Sequence, residues 1–592
     1  MKKIVFYTLL APLLCFSQQQ SLQRVWGTYF GDERYKLEDS VVDRAGNLYL
    51  VGLITSNVDT APVFASDVYQ SNYGGGFSDG FIAKFNNQGQ LLYITYFGGV
   101  GDDVVSCIDF DNSNNIYVAG FTDSETQIAT ATAFQTNKSA LNDLFVAKFN
   151  EEGLLQWSTY YGGNGNDGSS LFLTLSMGID SNRIQLAHDG ANHFYAFCET
   201  TSSNMGTANT FQPTKENANF LIVKFSNDGI PQWSTYHGFN ENNQLTAIKA
   251  NEEAVYLSGQ IRECVPDNIP NTYYATPNAF QPTRASCQDL FLTKFDTNGQ
   301  RLWSTYYGGN SLDLVSDRSI DVRNNAIYFA GQGLDQALAT SDTFQETPSV
   351  DLLTPFLVRF NELGERIWGT FNGTTFNQTG ATASNSGHVK IDNENNLIFS
   401  GTVGLNANVA QGQAFQTSLN GTLDGFLAKF DETGQKIWGT YYGGNNTEIA
   451  MIAHPFGENV FVVGESNSIT GLATTGAMQP NLTLFDPSSS ETNFNIFIGY
   501  LTPIPLSTNE NQELSFEMIP NPSAGNTIIR LPSNVINSAN VTIFDISGKT
   551  IYESTTQNEE LRVQLDGLSS GVYFVKVATD NTAVVKKWIV KN

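Results

Sequence analysis

The chain has 592 residues, of which 41% are hydrophobic and 12% aromatic. That length exceeds what one hydrophobic core supports, so several domains or a repeat array are expected, and the apolar content excludes a disordered chain. A formal charge of -27 disfavours phosphate backbones and anionic membranes, so no nucleic-acid partner is expected and the acidity reads as solubility.

From the N-terminus, Lys2 and Lys3 precede an apolar run from Ile4 to Leu14 and then Cys15-Phe16-Ser17-Gln18. This is the pattern of a signal peptide over residues 1–17, with small side chains at Cys15 and Ser17 for cleavage. Acylation of Cys15 is the rival reading, which the bulk of Leu14 disfavours. No later stretch reaches the ~20 apolar residues that cross a bilayer, so no transmembrane anchor is expected. Cys264 and Cys287 bracket one long loop, which a disulfide could close in an oxidising compartment. Cys107 and Cys198 sit in apolar strand-like runs and read as buried thiols.

Residues 18–501 repeat. The stretch W-S-T-Y-Y-G-G, Trp157 to Gly163, returns from Trp26, Tyr93, Trp233, Trp303, Trp368 and Trp438, giving seven copies at intervals of 64 to 76 residues. Such a period means that one supersecondary unit recurs. In the unit that starts at Asp102, Asp103 to Phe110 alternates apolar and small residues, and the turn residues Asp111 to Asn115 lead into Ile116 to Thr122, which predicts a hairpin. A polar segment carrying Phe134-Gln135 follows, then a third strand from Asp143 to Asn150 and a fourth from Leu154 to Tyr161. The tetrad Asn150 to Gly153 joins them, because Asn bonds the local backbone and Gly accepts a positive φ. Four antiparallel strands in each of seven units predict an all-β, seven-bladed β-propeller. The strand Gln23 to Phe30 precedes the first unit, while the last unit ends on Asn493 to Leu501 without a fourth strand. The N-terminal strand is therefore expected to complete the last blade, which removes two free sheet edges.

This order of elements, with N-I-Y-V-A-G at Asn115 to Gly120, resembles the bacterial SBBP family of β-propeller repeats, over Gln23 to about Leu501. The resemblance implies a fold and no reaction. Residues 502–513 are polar and Pro-bearing and read as a linker. Beyond them, short alternating strands over 514–592 suggest a small Ig-like β-sandwich. Pro520-Asn521-Pro522-Ser523, Phe544 to Lys549, Leu568 to Val577 and Lys586-Lys587 resemble the type A C-terminal sorting domain of the Bacteroidetes type IX secretion system. That resemblance implies passage by way of the periplasm, the type IX secretion machinery as a partner, and a secreted or outer-membrane surface-attached product. It makes Asn521, Pro522, Gly548, Lys549, Gly571, Tyr573, Lys586 and Lys587 the sorting-signal residues.

Chemistry-bearing residues are sparse. The histidines, His188, His193, His237, His388 and His454, occupy unrelated repeat positions, and no nucleophile elbow, metalloprotease helix or phosphate-binding Gly loop occurs. No catalytic residue and no cofactor is expected, with one weak exception: Asp102, Asp103, Asp167 and Asp313 follow the Gly-Gly of their units and could ligate calcium. Each unit supplies one or two acids where six to eight oxygens are wanted. Asp43, Asp111, Asp321 and Asp392 read as Asx turns. Lys84, Lys148, Lys224, Lys294, Arg359 and Lys429 share one repeat position, which says scaffold, because an active site would be an exception in one unit. The long loops between second and third strands vary most, notably Ile261 to Gln288 with Tyr273 and Tyr274, and on a rigid ring such loops carry recognition. The expected function is binding of a glycan, matrix polymer or surface protein on this loop face. The alternative is an extracellular polysaccharide lyase or hydrolase with its site in the central channel.

Overall fold

A computed structural model describes residues 22–55, 68–139, 141–168, 184–238, 243–261, 273–286, 288–315, 318–349, 353–373, 386–404, 408–412, 414–483, 494–504, 516–531, 538–579 and 583–591. Residues 1–17, Cys264 and Cys287 lie outside these ranges, and so do the signal-peptide and disulfide expectations. The chain divides into two compact units, Met1–Pro503 and Ile504–Asn592. Among the described residues, regular structure is strand apart from one 3-10 turn, Gln336–Leu338, and no helix is long and apolar enough to cross a membrane.

The larger unit is a propeller-like succession of antiparallel sheets. A representative one consists of Asp103–Phe110, Ile116–Thr122, Asp143–Phe149 and Leu155–Tyr161, paired in chain order. The equivalents of its first strand are Tyr35–Val42, Ile184–His188, Asn243–Ala250, Ile320–Arg323, Ser386–Ile391 and Glu448–Phe456. Each of these inner strands touches the next, and the last touches the first, so the succession closes on itself. Each core lies between two sheets. Val104 and Phe121 of the second unit, for example, pack with Leu186, Phe194 and Tyr236 of the third. Burial of such side chains stabilises by about 1.5–3 kcal/mol apiece.

Two recurrent devices join neighbouring sheets. The Trp of the fourth strand lies on the N/D-x-x-G turn of the next unit, and its Nε1 donates to a turn carbonyl: Trp157 to Asn227, Trp233 to Thr297, Trp303 to Glu362 and Trp368 to Glu432, at 2.8 to 3.1 Å. The turn glycines Gly229, Gly299, Gly364 and Gly434 have φ between +76° and +83°, and a Cβ there would stand 2.6 to 3.0 Å from the indole. Glycine is thus required both by the left-handed backbone and by the ring against it. The recurrent Lys belongs to the same joint. Lys84, Lys148, Lys224 and Lys294 hold their ammonium 5.1 to 5.5 Å from the ring centres of Tyr49, Tyr117, Tyr195 and Tyr256, within cation–π range.

On the inner strands, a carboxylate of one unit accepts a backbone N–H from the next: Ile108 donates to Asp39, His188 to Asp109 and Ile391 to Asp321, at 2.9 to 3.0 Å. This corrects the Asx-turn reading of Asp321, which lies within the strand Ile320–Arg323 because the hairpin turns beyond it, at Asn324-Asn325. Asp43, Asp111 and Asp392 do accept the i+2 and i+4 N–H groups of their turns.

The last sheet is built from both ends of the unit. Leu22–Phe30 pairs antiparallel with Asn495–Pro503, from Leu22 opposite Pro503 to Phe30 opposite Ile496. The edge that Asn495–Pro503 would otherwise expose is covered.

The smaller unit has a sheet of three strands and one of four. Phe516, Ile529 and Val563 of the first share a core with Val541, Ile543, Val575, Val577 and Trp588 of the second. One strand, Thr550–Thr556, was not foreseen. It lies at a sheet edge and is largely exposed, so its sequence I-Y-E-S-T-T carries little of the apolar alternation that marks a half-buried strand.

Candidate functional site

The aromatic-Gln pair in each long loop explains where a site can arise. In six loops the glutamine amide is bonded to its own loop: Nε2 of Gln70, Gln135, Gln281, Gln345, Gln416 and Gln479 donates to the carbonyl two residues on, at 2.9 to 3.4 Å. In five of these the Oε1 accepts the N–H of the glycine after the fourth strand, from Gly98, Gly162, Gly308, Gly373 and Gly443. Glutamine thus clamps loop to strand by satisfying one donor and one acceptor.

The third unit departs from this rule. The Gly238 N–H donates to the Tyr273 hydroxyl at 3.3 Å, and that hydroxyl donates to Gln212 Oε1 at 2.6 Å. Tyr273 comes from the long loop of the fourth unit. Its insertion between glutamine and glycine leaves Gln212 Nε2 without a partner among the described residues. Beside it lies a cavity of about 290 Å3 bounded by Phe211, Gln212, Thr214, Glu216, Asn217 and Tyr273, close to the lower limit of ~300 Å3 common for small-ligand sites.

The walls are held from behind. The Arg301 guanidinium stacks 4.4 Å from the Phe211 ring centre and donates to the Tyr273 carbonyl at 2.8 Å. Beneath them His237, fully buried, packs against Tyr274 and Phe291 at 5.4 and 5.9 Å, and those two rings stack on each other at 4.1 Å. Among the described residues neither ring nitrogen has a hydrogen-bond partner, and burial lowers its pKa to about 3, so it is a neutral packing ring. At the equivalent position, the residue after the T-Y or T-F of the fourth strand, the other units carry Phe30, Phe97, Tyr161, Tyr307, Asn372 and Tyr442. Burial also pushes the Tyr273 phenol up to about 12, which keeps it a hydroxyl donor at ordinary pH. At the rim Glu216 has φ +43°, a left-handed conformation uncommon for a non-glycine residue and one that tends to mark functional loops.

Of the acids proposed for calcium, Asp103, Asp167 and Asp313 brace the Gly-Gly turns, and Asp102 braces the preceding loop. Asp103 Oδ2 accepts Gly99 N–H and Ser124 Oγ–H, both at 2.7 Å. Asp167 Oδ2 accepts Gly163 N–H and Ser202 Oγ–H, while its Oδ1 accepts Thr200 Oγ1–H. Asp313 accepts Gly309 N–H, and Asp102 accepts Phe77 N–H. Burial raises Asp103 to about 6 and Asp313 to about 8. Among the described residues, no group of three or more His, Cys, Asp or Glu is placed to hold a metal ion. Sequence reasoning missed the seventh-unit equivalent Glu448, braced by Gly444, Ser466 and Ser468, because a Glu stands where the second, third and fifth units have Asp.

Among the described residues, charged side chains on and beside the inner strands pair across units. Arg318 Nε lies 2.7 Å from Asp39 Oδ1, Lys249 Nζ 4.0 Å from Asp321 Oδ1, and Ser40 bonds His454 at 2.8 Å. A cavity beside Asp109, Lys249 and Lys390 is about 30 Å3, roughly the volume of one water.

In the smaller unit, several of the residues expected to form the sorting signal take part in the contacts that hold the fold. Asn521 bonds the last strand twice, donating to the Lys587 carbonyl and accepting the Ile589 N–H, and Ser523 accepts the Trp588 indole N–H. Gly548 closes the Asp545 turn with φ +85°, and Tyr573 donates to the Ser569 carbonyl. Lys586 donates to the Phe516 carbonyl and lies over that ring. Pro522 and Gly571 flank these contacts.

Residues 517–591 match the family described as secretion system C-terminal sorting domain. This domain indicates export by type IX secretion to the cell surface or extracellular space. An uncharacterized WD repeat-containing protein of Acanthamoeba polyphaga mimivirus is 23% identical over 504 residues, 72% of this chain and 35% of that protein. The chain therefore spans about a third of that relative's length. Among solved structures, the phage phi92 endosialidase aligns with 97% of this chain and 88% of its own at 10% identity and a TM-score of 0.32. A subtype N10 neuraminidase-like protein of A/little yellow-shouldered bat aligns with 67% of this chain and 94% of its own at 10% identity and a TM-score of 0.29.

Proposed function

We propose that this is an exported binding protein: a seven-bladed propeller of SBBP type, closed by its own N-terminal strand and delivered by a Bacteroidetes type IX tail of Ig-like form. It passes through the periplasm behind a signal peptide and acts on the cell surface or beyond it. Its ligand is a glycan, a matrix polymer or another surface protein, held on the loop face at the Gln212 pocket. The observation that carries this reading is the unbonded Gln212 amide at the mouth of a formed cavity, in a ring where six equivalent amides are bonded to their own loops. The cavity described beside Lys249 and Lys390 on the inner strands opens about 30 Å3, too little for a sugar ring, which supports binding on the loop face over catalysis at that spot. The test is capture of surface polymers and proteins by the mature full-length chain, with Gln212→Ala as the control. Capture lost in the variant supports the reading; polymer turnover by the wild type overturns it.

A further inference from the structure

We infer that the Gln212 pocket selects an uncharged saccharide unit and rejects acidic sugars; this rests on the binding reading above and assigns the chemistry of the ligand. The polar groups facing the cavity are of both kinds. Gln212 Nε2 and the Asn217 amide, which has no hydrogen bond within the described chain, are donors. The Glu216 carboxylate, which among the described residues accepts one hydrogen bond, from Thr214 Oγ1 at 3.5 Å, is an acceptor with most of its capacity unused there. A sugar hydroxyl both donates and accepts, so neighbouring hydroxyls of one ring can satisfy an amide and a carboxylate together. The Phe211 and Tyr273 rings add apolar wall of the kind that packs against sugar C–H faces, and about 290 Å3 suits a ligand of one or two rings rather than a protein side.

Charge decides against the acidic sugars. Among the described residues, no cation lines the cavity. The nearby Lys215 ammonium is turned to the Ala218 carbonyl at 2.7 Å, and the Arg301 guanidinium is stacked on the far side of the wall, bonded to the Tyr273 carbonyl. A uronate or sulfated sugar would bring its anion against Glu216 with nothing to compensate, on a chain whose formal charge is -27. Like charges at such separation raise the energy of the complex.

The experiment is isothermal titration calorimetry of the mature full-length chain with neutral trisaccharides of glucose, mannose and galactose, with oligogalacturonate and oligomannuronate of the same length, and with a glucosamine dimer. At least one neutral series binds, each acidic series at least about tenfold more weakly, a difference that one unfavourable charge contact supplies. Gln212→Ala weakens the neutral ligand by about tenfold. Glu216→Lys, at an exposed rim position whose change leaves the fold intact, brings in the oligouronates. Preference of the wild type for uronates, preference for the glucosamine dimer, or a neutral affinity indifferent to Gln212→Ala overturns the assignment. If no sugar binds while surface-protein capture is still lost in Gln212→Ala, the sugar assignment falls and the binding reading stands; if both fail, both fall.

Discussion

The loops of Gln135 and Gln212 occupy equivalent places in adjacent units and use the same side chain in opposite ways. Gln135 gives Nε2 to Asn137, Ser139 and Asp143 and Oε1 to the Gly162 N–H, so its polarity is spent on the fold. Gln212 gives one oxygen to a tyrosine from the next unit and keeps its amide unbonded. A repeat array makes such a contrast legible, because six copies define what the scaffold needs and the seventh shows what is surplus to it.

The contrast has meaning only if the ring is otherwise uniform, and the largest expected effect tests that uniformity. Deletion of Leu22–Phe30 bares Asn495–Pro503 along its whole length, and the exported unit then loses its cooperative denaturant transition and aggregates. Retention of that transition would mean that the ring does not depend on closure. Next, Gly229→Val and Gly299→Val each drive a branched side chain into Trp157 or Trp233 from a left-handed backbone, costing about 3 kcal/mol apiece by equilibrium unfolding. Equal costs say that the second and third units are joined to their successors alike. A much smaller cost at Gly299 would place the difference between the units in the scaffold.

A smaller effect comes from pH. Burial raises Asp79 and Glu448 to about 7, Asp103 to about 6 and Asp313 to about 8. The folded chain therefore binds more protons than the unfolded one between about pH 4 and 8, so this contribution is complete below the ordinary carboxylate pKa and fades as pH rises through the folded values. Thermal denaturation should give a higher Tm at pH 5 than at pH 8, and Asp313→Asn should flatten the slope. The third unit carries Asn219 where the first has Asp79 and does not contribute to the slope from that position. The smallest expected effect is that of Tyr273→Phe, which removes the hydroxyl between Gly238 and Gln212. Stability changes by about 0.5–1.5 kcal/mol, and ligand affinity falls as Gln212 turns to clamp Gly238.

Much of the architecture was legible because its signals are local. The fourth-strand Trp, the N/D-x-x-G turn and the strand left over at Gln23 to Phe30 each follow from side-chain period and turn chemistry within a few residues. The inter-sheet role of Asp321 was not, since a carboxylate just before a turn looks like a turn residue until the neighbouring strand is placed beside it. The pocket was half legible. His237 in a position mostly filled by Tyr or Phe, Asn219 in place of Asp, and the long loop bearing Tyr273 were all visible departures. That they converge on one amide depends on Tyr273 crossing from the fourth unit to the third, and no periodicity encodes that contact.

The most direct measurement is the paired stability of Gln135→Ala and Gln212→Ala, by urea unfolding of the mature full-length chain. If Gln135 is a full clamp and Gln212 only the acceptor of one tyrosine, Gln135→Ala leaves several groups unbonded and loses about 1–3 kcal/mol, whereas Gln212→Ala loses the Tyr273 hydrogen bond alone, about 0.5–1 kcal/mol. Equal losses in the two variants would contradict the account, because the third-unit glutamine would then be one more structural clamp.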